Sequence, residues 1–409
     1  MNNQPQPPTQ TTPYPRIFQQ FIQQKTENYV DRPLISTTIN NFLQNHNNGY
    51  FTLIGSPGSG KSAILANYTI QNPQTVYYTA EVEDKNRADE FLITLCTQLI
   101  QKIDQQNPTL PDNVTEGSWY LSLLLQKISD NLAAEEKLII VVDGCDNLDP
   151  QSQPRDSNIF YLPRYLPKQV YFLLARRPFL RAKSGLLIET PAETLNLEEY
   201  PEQNREDAQA YIEHYLAIPG VGANIKSWVA ENYQSEAEFC RELVVESGNN
   251  FMYLSRVLRA IPPNPPWEGG DMMPNLPLEG GDMMPNLLLE GGETTVGANG
   301  IRPWEVWNIP TAGLEEYYQG LWQKMGGEGL SEIELGVLRV LVEEEEAVSV
   351  EGIERSLCSA NAQFIDIDEY DIEEVLETWV EFLHQQEIGG EICYSLYHWS
   401  FRDFLQFRV

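Results

Sequence analysis

One short segment constrains the fold of this chain more than any other part of its sequence. Residues 55–62 read Gly-Ser-Pro-Gly-Ser-Gly-Lys-Ser, which satisfies the pattern G-x-x-x-x-G-K-[ST]. An apolar run at 51–54 precedes this segment, and a helical pattern from Ser62 to Tyr68 follows it. A loop of this kind between a strand and a helix is a phosphate-binding loop, or P-loop, and it predicts an α/β domain.

Each residue type in the P-loop has a task in phosphate binding. Glycine at positions 55, 58 and 60 permits positive φ, so that successive backbone N–H groups face one anion at a helix N-terminus. Lys61 is expected to neutralise β- and γ-phosphate oxygens, and the Ser62 hydroxyl to bind Mg²⁺. The alternative is an ordinary glycine-rich turn. We predict that ATP or ADP, together with Mg²⁺, is held by Gly55, Ser56, Gly58, Ser59, Gly60, Lys61, Ser62 and Ala63.

Short apolar runs alternate with amphipathic helical stretches from residue 51 onward. This alternation is typical of βαβ units, whose strands form a parallel sheet. The runs lie at 51–54, 75–78, 138–142 and 170–174. We therefore predict an α/β P-loop NTPase domain, a parallel sheet flanked by helices, at 21–194, and a disordered tail rich in Pro and Gln at 1–20.

Charged residues follow two of the predicted strands. Asp143 ends the third strand and is expected to hold the hydration shell of Mg²⁺, while Asp146 is the best carboxylate to orient or activate the attacking water, ahead of Asp149. Arg176 and Arg177 follow the next strand at the same sheet edge, where either is a candidate to contact a γ-phosphate. Alternatively, the acids cap turns and the arginines form a surface pair that attracts anions.

The chain beyond about Leu195 has a mainly helical pattern. Apolar residues at helical spacing predict a helical subdomain at 195–261. Residues 262–303 repeat Glu-Gly-Gly-Asp-Met-Met-Pro-Asn with an eleven-residue period. Paired glycines and a proline in the repeat exclude continuous helix, so we predict a flexible linker there. A partner-binding motif is the alternative.

The last part of the chain, 304–409, is predicted to form a helical and winged-helix-like domain. The apolar series from Ile372 to Leu383 fits one amphipathic helix, and two short strands follow, joined by Gly389 and Gly390. Winged helices that bind DNA use a basic recognition helix, whereas the candidate helix here is rich in Asp and Glu. We therefore expect the wing to contact protein.

The balance of charge limits the partners of the chain. Lys and Arg number 27 and Asp and Glu number 59, so the net charge is −32, and nucleic acid or an anionic membrane would be repelled. The apolar runs are too short to span a bilayer. The five cysteines form no C-x-x-C pair, which fits free thiols in a reducing compartment. The four histidines lie far apart along the chain, so no pair of them on one helix is placed to bind a metal ion. We expect a cytoplasmic protein with no nucleic acid and no membrane among its partners.

Taken in order, the motifs resemble those of the STAND class of P-loop signalling NTPases, and within it the NACHT-like branch, which is related to bacterial NLR proteins and AP-ATPases. The resemblance extends over about residues 27 to 405. Besides the P-loop it rests on Tyr29-Val-Asp-Arg32, Asp143-Gly-Cys-Asp146, Leu173-Leu-Ala-Arg-Arg-Pro178, Gly248-Asn-Asn-Phe-Met-Tyr253, Ile309-Pro-Thr-Ala-Gly-Leu-Glu-Glu-Tyr-Tyr318 and Tyr397-His-Trp-Ser-Phe-Arg-Asp-Phe-Leu405.

This resemblance implies roles for residues outside the P-loop. Val30 and Arg32 would bind nucleotide, and Arg177 would be the arginine that senses the γ-phosphate. His398 would contact the diphosphate of bound ADP and latch a closed state. From the residues alone, a lone histidine in an aromatic segment is more often a core or edge residue.

Two departures from the family concern hydrolysis. Asn147 stands where the family usually has an acid, and Arg176 where it has Ser or Thr. The sequence thus predicts an ATP/ADP-controlled signal-transduction switch with slow Mg²⁺-dependent hydrolysis. ADP would keep a closed monomer, and exchange for ATP would expose a surface for self-association or for protein effectors and sensors. Two alternatives remain open: a P-loop kinase or metabolic ATPase with a small substrate, and a scaffold with a vestigial ATP site.

Overall fold

The computed structural model describes residues 14–82, 84–103, 109–154, 157–178, 185–261, 312–344, 346–360 and 367–409. The linker predicted at 262–303 and most of the predicted tail lie outside the described residues. The chain folds into two compact units, Met1–Tyr211 with Leu376–His384, and Ile212–Val375 with Gln385–Val409. The domain boundaries derived from the sequence stay predictions.

A parallel sheet forms the centre of the first unit. Its strands are β1 Gly49–Ile54, β2 Val76–Thr79, β3 Leu138–Asp143, β4 Val170–Arg176 and β5 Ala192–Asn196. They lie in the order β2-β3-β4-β1-β5, with every neighbouring pair parallel. Strands β3 and β4 are almost entirely buried, as expected for strands rich in Val, Ile and Leu that are covered on both faces. The predicted fold class, a parallel sheet flanked by helices, is confirmed.

Helices pack against this sheet through buried apolar faces. They are α1 Arg16–Thr26, α2 Pro33–Asn45, α3 Lys61–Gln71, α4 Ala88–Ile103 and α5 Trp119–Ser129. In α1, the ring of Phe18 meets that of Tyr78 edge to face, with centroids 5.4 Å apart. Pro33 begins α2, where its missing N–H group would have no helical partner in any case. The core of the unit therefore lies between the helices and the sheet.

Strand β5 is not evident from the sequence. Its residues read Ala-Glu-Thr-Leu-Asn, and the first three of them are exposed, so the segment lacks the apolar run that marks the other strands. Backbone pairing with β1, from Tyr50↔Ala192 to Ile54↔Asn196, defines it instead. An edge strand of a sheet can be exposed on this scale, and sequence patterns that rely on burial miss it.

The described chain is mainly helical after the sheet. The helices are α6 Pro201–Ala217, α7 Val221–Asn232, α8 Glu236–Ser247 and α9 Phe251–Ala260. Side-chain caps start two of them: Ser235 accepts from the Glu238 N–H at α8, and Asn250 accepts from the Tyr253 N–H at α9. Gly248 ends α8 with a φ of 50°. The predicted helical region after the sheet is confirmed.

The C-terminal residues combine helices with a small sheet. The elements are α10 Ala312–Met325, α11 Glu332–Glu343, β6 Val348–Ser349, α12 Val350–Ala360, α13 Glu369–Thr378, β7 Leu383–Ile388, β8 Glu391–Leu396 and α14 Trp399–Leu405. The three strands lie in the order β6-β8-β7. Gly389 and Gly390, with φ of 65° and 92°, form the hairpin turn expected from the sequence. Among the described helices, none combines the length and the apolar character needed to cross a membrane.

One predicted helix is shorter than expected. The apolar series predicts a single helix from Ile372 to Leu383, but α13 ends at Thr378 and Val380–Phe382 form a short 3-10 turn. Leu383 already belongs to β7. Trp379, Phe382 and Leu383 are all buried, so their apolar character fits a helix, a turn or a strand equally well.

Candidate nucleotide-binding site

The P-loop lies between β1 and α3, as predicted. Gly58 and Gly60 have φ of 83° and 90°, a backbone conformation that favours glycine. Gly55 does not have the positive φ expected for it. A Cβ atom at Gly55 would lie 2.6 Å from the Ser59 Oγ, so any other residue there would displace the Ser59 side chain. Gly60 is the N-cap of α3, and the loop therefore opens onto the free N–H groups of a helix N-terminus.

The Lys61 ammonium group lies within the loop. Its Nζ donates to the carbonyl oxygens of Gly55 at 2.6 Å and of Ser56 at 3.0 Å. Burial lowers the pKa of this ammonium, while the negative charge of Asp146 opposes the shift. A cation in this place is suited to neutralise the oxygens of a phosphate that enters the loop.

Ser62 and Asp143 meet where α3 begins and β3 ends. The Ser62 hydroxyl donates to Asp143 Oδ1 at 3.1 Å. Asp143 is 1% exposed, and burial raises the pKa of its carboxyl to about 7, with the Glu81 carboxylate adding to the rise. Within the described residues, the buried Oδ2 of Asp143 has no hydrogen-bond partner. A buried carboxylate oxygen beside a hydroxyl group fits Mg²⁺, which prefers oxygen ligands.

Arg177, the predicted sensor of the γ-phosphate, contacts Asp146, the predicted catalytic acid. Its backbone N–H donates to Asp146 Oδ1 at 2.9 Å, and its Nε lies 3.2 Å from Asp146 Oδ2. Its Nη1 lies 2.9 Å from Oε2 of Glu381, in the segment Leu376–His384 that belongs to the same compact unit. The structure therefore brings Asp146 and Arg177 together but pairs them with each other. Their catalytic roles stay predictions.

Arg32 binds the P-loop from the side of α2. Its Nη1 donates to the Ser59 carbonyl at 2.9 Å, and its Nε lies 2.7 Å from Asp207 Oδ2. Its Nη2 donates to the side chain of Asn204. Both partners are on α6, so the buried arginine ties that helix to the loop. Val30, the other residue predicted to bind nucleotide before the P-loop, is half-buried two residues earlier.

A second carboxylate reaches the P-loop from the chain after β5. The Ser56 N–H donates to Glu198 Oε1 at 3.1 Å, and Glu198 Oε2 lies 3.6 Å from Nδ1 of His384. Burial raises the pKa of the Glu198 carboxyl, but the hydrogen bonds from His384 and the Ser56 N–H more than offset this, so the net shift is downward. The segment Leu376–His384 thus contacts the site at Glu198 as well as at Arg177.

Asn147 binds a carboxylate group from the loop that follows the neighbouring strand, β2. Thr79, the last residue of β2, is in register with Asp143, and Glu81 lies two residues further along the chain. Asn147 Nδ2 donates to Glu81 Oε1 at 2.6 Å. Gly144 has a φ of 70°, and a Cβ atom there would lie 3.1 Å from Cγ and from Oε1 of Glu81. The Glu81 side chain therefore lies close to the backbone of Gly144, the residue directly after Asp143.

Known proteins share parts of this architecture. Residues 36–166 match the family model of the AAA ATPase domain. In sequence, this part of the chain is therefore similar to AAA ATPase domains. The Walker-type ATPase PAby2304 of Pyrococcus abyssi has a similar structure, with a TM-score of 0.55 and 13% identity over 93% of this chain and 97% of that one. At that identity the likeness indicates a shared fold alone.

A weaker structural match is Drosophila ORC bound to DNA, with a TM-score of 0.35 and 12% identity over 100% of this chain and 96% of that one. No curated protein sequence matches the chain.

Several polar residues that were not predicted from the sequence contact the candidate site. Each lies far along the chain from its partner or on another strand, so no local pattern marks it. Glu81 had a weak signal, because it follows the predicted strand at 75–78 and reaches the same sheet edge as Asp143. The residues are Glu81, Glu198, Asn204, Asp207, Glu381 and His384.

His398 lies in the second compact unit, where it caps α14. Its Nδ1 accepts from the Ser400 N–H at 3.2 Å, and its Nε2 lies 2.8 Å from the Ser247 carbonyl oxygen. Its ring packs against Tyr253 at 5.2 Å between centroids. Two segments of the sequence resemblance, 248–253 and 397–405, therefore meet at this histidine. Its contact with ADP stays a prediction.

Proposed function

We propose that the protein is a signal-transduction switch that binds ATP or ADP with Mg²⁺, hydrolyses ATP slowly, and changes between a closed monomer and an oligomer according to the bound nucleotide. The observation that carries this proposal is the ion pair of Arg177 with Glu381. Arg177 is the candidate sensor of the γ-phosphate, and Glu381 is 204 residues further along the chain.

Nucleotide binding rests on the P-loop and its neighbours. The backbone N–H groups of residues 58–60 and the Lys61 ammonium would hold the phosphates, with Arg32 keeping the loop in shape. Ser62 and Asp143 would hold Mg²⁺. When bound, the metal ion neutralises charge on the β- and γ-phosphate oxygens.

Switching follows from the competition for Arg177. To direct its guanidinium group at a γ-phosphate, Arg177 would give up its pairing with Glu381. ATP would then favour the state in which the segment Leu376–His384 is released, and ADP the state in which it is held. A nucleotide shifts this equilibrium only by the difference in its affinity for the two states, so the proposal requires ADP to bind the paired state more tightly.

The finer assignment, a NACHT-like member of the STAND class, is part of this proposal. The order of elements α11, β6, α12, α13, β7 and β8 supports a winged-helix-like end, and the acidic residues of α13 favour protein over nucleic acid as its partner. The cysteines of the described residues are free, which supports a cytoplasmic location. Self-association, or contact with a protein effector or sensor, would be the output.

Identification of the nucleotide carried by the purified protein tests the proposal most directly. We expect ADP to be released on denaturation, and calorimetry of stripped protein to show binding of ADP and of ATP in the presence of Mg²⁺. Phosphate release from ATP should be slow, well below the turnover of about 1 to 100 per second that is typical of kinases. Stripped, folded protein that gives no heat with either nucleotide would exclude the switch and leave a scaffold with a vestigial site.

A further inference from the structure

The acids that the sequence offers for activating water are already engaged. Asp146 accepts the Arg177 backbone N–H and pairs with its guanidinium group. Asp149 accepts from the Gln151 N–H at 2.9 Å and lies 3.4 Å from Nη1 of Arg87. A carboxylate whose oxygens already accept hydrogen bonds from a cation and from backbone donors has fewer lone pairs left to accept one from the attacking water.

Glu81 is placed differently. Its side chain is exposed to solvent, and the described residues give it one hydrogen-bond partner, the neutral amide of Asn147. Backbone contacts fix its position: the Ala80 N–H donates to the Asp143 carbonyl at 3.0 Å, and the Glu81 N–H donates to the Thr79 hydroxyl at 3.1 Å. Its charge acts on both Lys61 and Asp143, so it lies within electrostatic reach of the phosphate and metal positions.

Asn147 explains how the carboxylate is oriented. Its amide occupies one oxygen of Glu81 and leaves the other for water. Gly144 permits the approach, because a Cβ atom there would lie only 3.1 Å from Cγ and Oε1 of Glu81. The acid that the family resemblance expects at position 147 is thus replaced by an amide, and a carboxylate from the loop after the adjacent strand lies beside it.

We infer that Glu81 is the general base of the hydrolysis reaction and that Asn147 is its positioning residue. This inference rests on the proposed ATPase function. In the step, the oxygen of a water molecule forms a bond to the γ-phosphorus, and the bond from that phosphorus to the β,γ-bridging oxygen breaks. ADP leaves with the electron pair of that bond. The Glu81 carboxylate takes the proton of the water and passes it to the released phosphate or to solvent, which restores the base.

Replacement of Glu81 by glutamine tests the inference, because glutamine keeps the shape and the hydrogen bond but cannot accept the proton. Glu81→Gln should lower the rate of phosphate release at least about 100-fold, the lower bound for loss of a general base, while the affinity for ADP changes less than about threefold. Glu116→Gln is the matched control, since Glu116 is an exposed acid of the same unit. Its rate should equal that of the wild type. Asp146→Asn should lower the rate less than Glu81→Gln.

Further measurements separate this inference from the proposed function. Glu81→Asp keeps a carboxylate and should exceed Glu81→Gln in rate; equal loss in both would indicate a structural role and overturn the inference. A Glu81→Gln protein within about threefold of the wild-type rate would also overturn it, although nucleotide binding would stand. If the wild-type protein binds ATP but does not hydrolyse it, no residue acts as a general base and the inference is overturned, while the proposed nucleotide binding stands. Wild-type protein that binds no nucleotide would remove the proposed function itself.

Discussion

The Lys61 ammonium is held by two carbonyl oxygens of its own loop, at a place where a phosphate would be its natural partner. Lys61→Ala removes the cation, and hydrogen bonds to charged groups are worth about 1.5 to 3 kcal/mol, so we expect the affinity for ADP to fall by about 10- to 100-fold. Titration calorimetry with and without Mg²⁺ measures this. Lys168→Ala, at an exposed position in the same unit, should bind as the wild type does. Full affinity in Lys61→Ala would contradict the P-loop assignment.

Asp143, the proposed Mg²⁺ ligand, should also lower the stability of the folded protein. Its carboxyl has a pKa of about 7 in the folded protein against an ordinary value of 3.8, so the folded state binds the proton more tightly than the unfolded state. Stability is therefore lost as the pH rises from about 4 to 7. Without nucleotide or Mg²⁺, Asp143→Asn should remove this loss.

Urea unfolding at pH 5 and pH 8, in the presence of a chelator, measures the effect. Relative to Asp143→Asn, the wild type should lose about 3 kcal/mol between the two pH values, since each pKa unit is worth about 1.4 kcal/mol. With Mg²⁺ and ATP, only the wild type should regain stability. If the free energies of unfolding of the two proteins change with pH in the same way, folding does not raise the pKa of Asp143.

Among the elements, α6 and the P-loop are joined by one buried arginine. Asp207→Ala would leave the charge of Arg32 buried without its ion-pair partner, a change that usually costs about 3 to 5 kcal/mol. We expect a clear fall in the thermal midpoint together with weaker nucleotide binding, because Arg32 also holds the Ser59 carbonyl. Glu206→Ala, one residue away on the exposed side of α6, is the control and should unfold as the wild type does.

The segment Leu376–His384 is joined to the candidate site by the ion pair of Glu381 with Arg177. Glu381→Gln weakens its ion pair with Arg177 without changing its size. If that pair holds the ADP-bound state, its loss should shift the equilibrium by about 1 to 2 kcal/mol and speed the release of a fluorescent ADP analogue by about 5- to 30-fold. Glu387→Gln, an exposed acid on β7, should leave the release rate unchanged. Equal rates of ADP release from the wild type, Glu381→Gln and Glu387→Gln would show that the ion pair does not control nucleotide release.

The elements also show what a sequence can and cannot predict. The buried strands β1 to β4 and the P-loop are visible because their patterns are local: a run of apolar residues, or glycines at fixed spacing. The exposed strand β5 is defined only by backbone pairing with β1. In the same way, Asp143 could be predicted from the strand that it ends, whereas Glu81 and Glu381 become site residues only through tertiary contacts.

At the scale of the whole molecule, the charge of −32 opposes assembly, because copies of the chain repel one another. Any nucleotide-driven self-association must overcome this repulsion. The repulsion between exposed charges is screened by salt, with a Debye length of about 10 Å at 0.1 M and about 3 Å at 1 M. Salt should therefore assist the self-association that we propose for the ATP-bound protein.

We expect ADP-loaded protein to remain monomeric at low and high salt, and protein loaded with ATP and Mg²⁺ to assemble, with a larger oligomeric fraction as the salt concentration rises. Sedimentation velocity at equal protein concentration measures both. Lys61→Ala provides the control, because its mass distribution should not respond to nucleotide at any salt concentration. If salt alone drives assembly to the same extent with ADP as with ATP, then association reflects charge screening and the nucleotide does not control it.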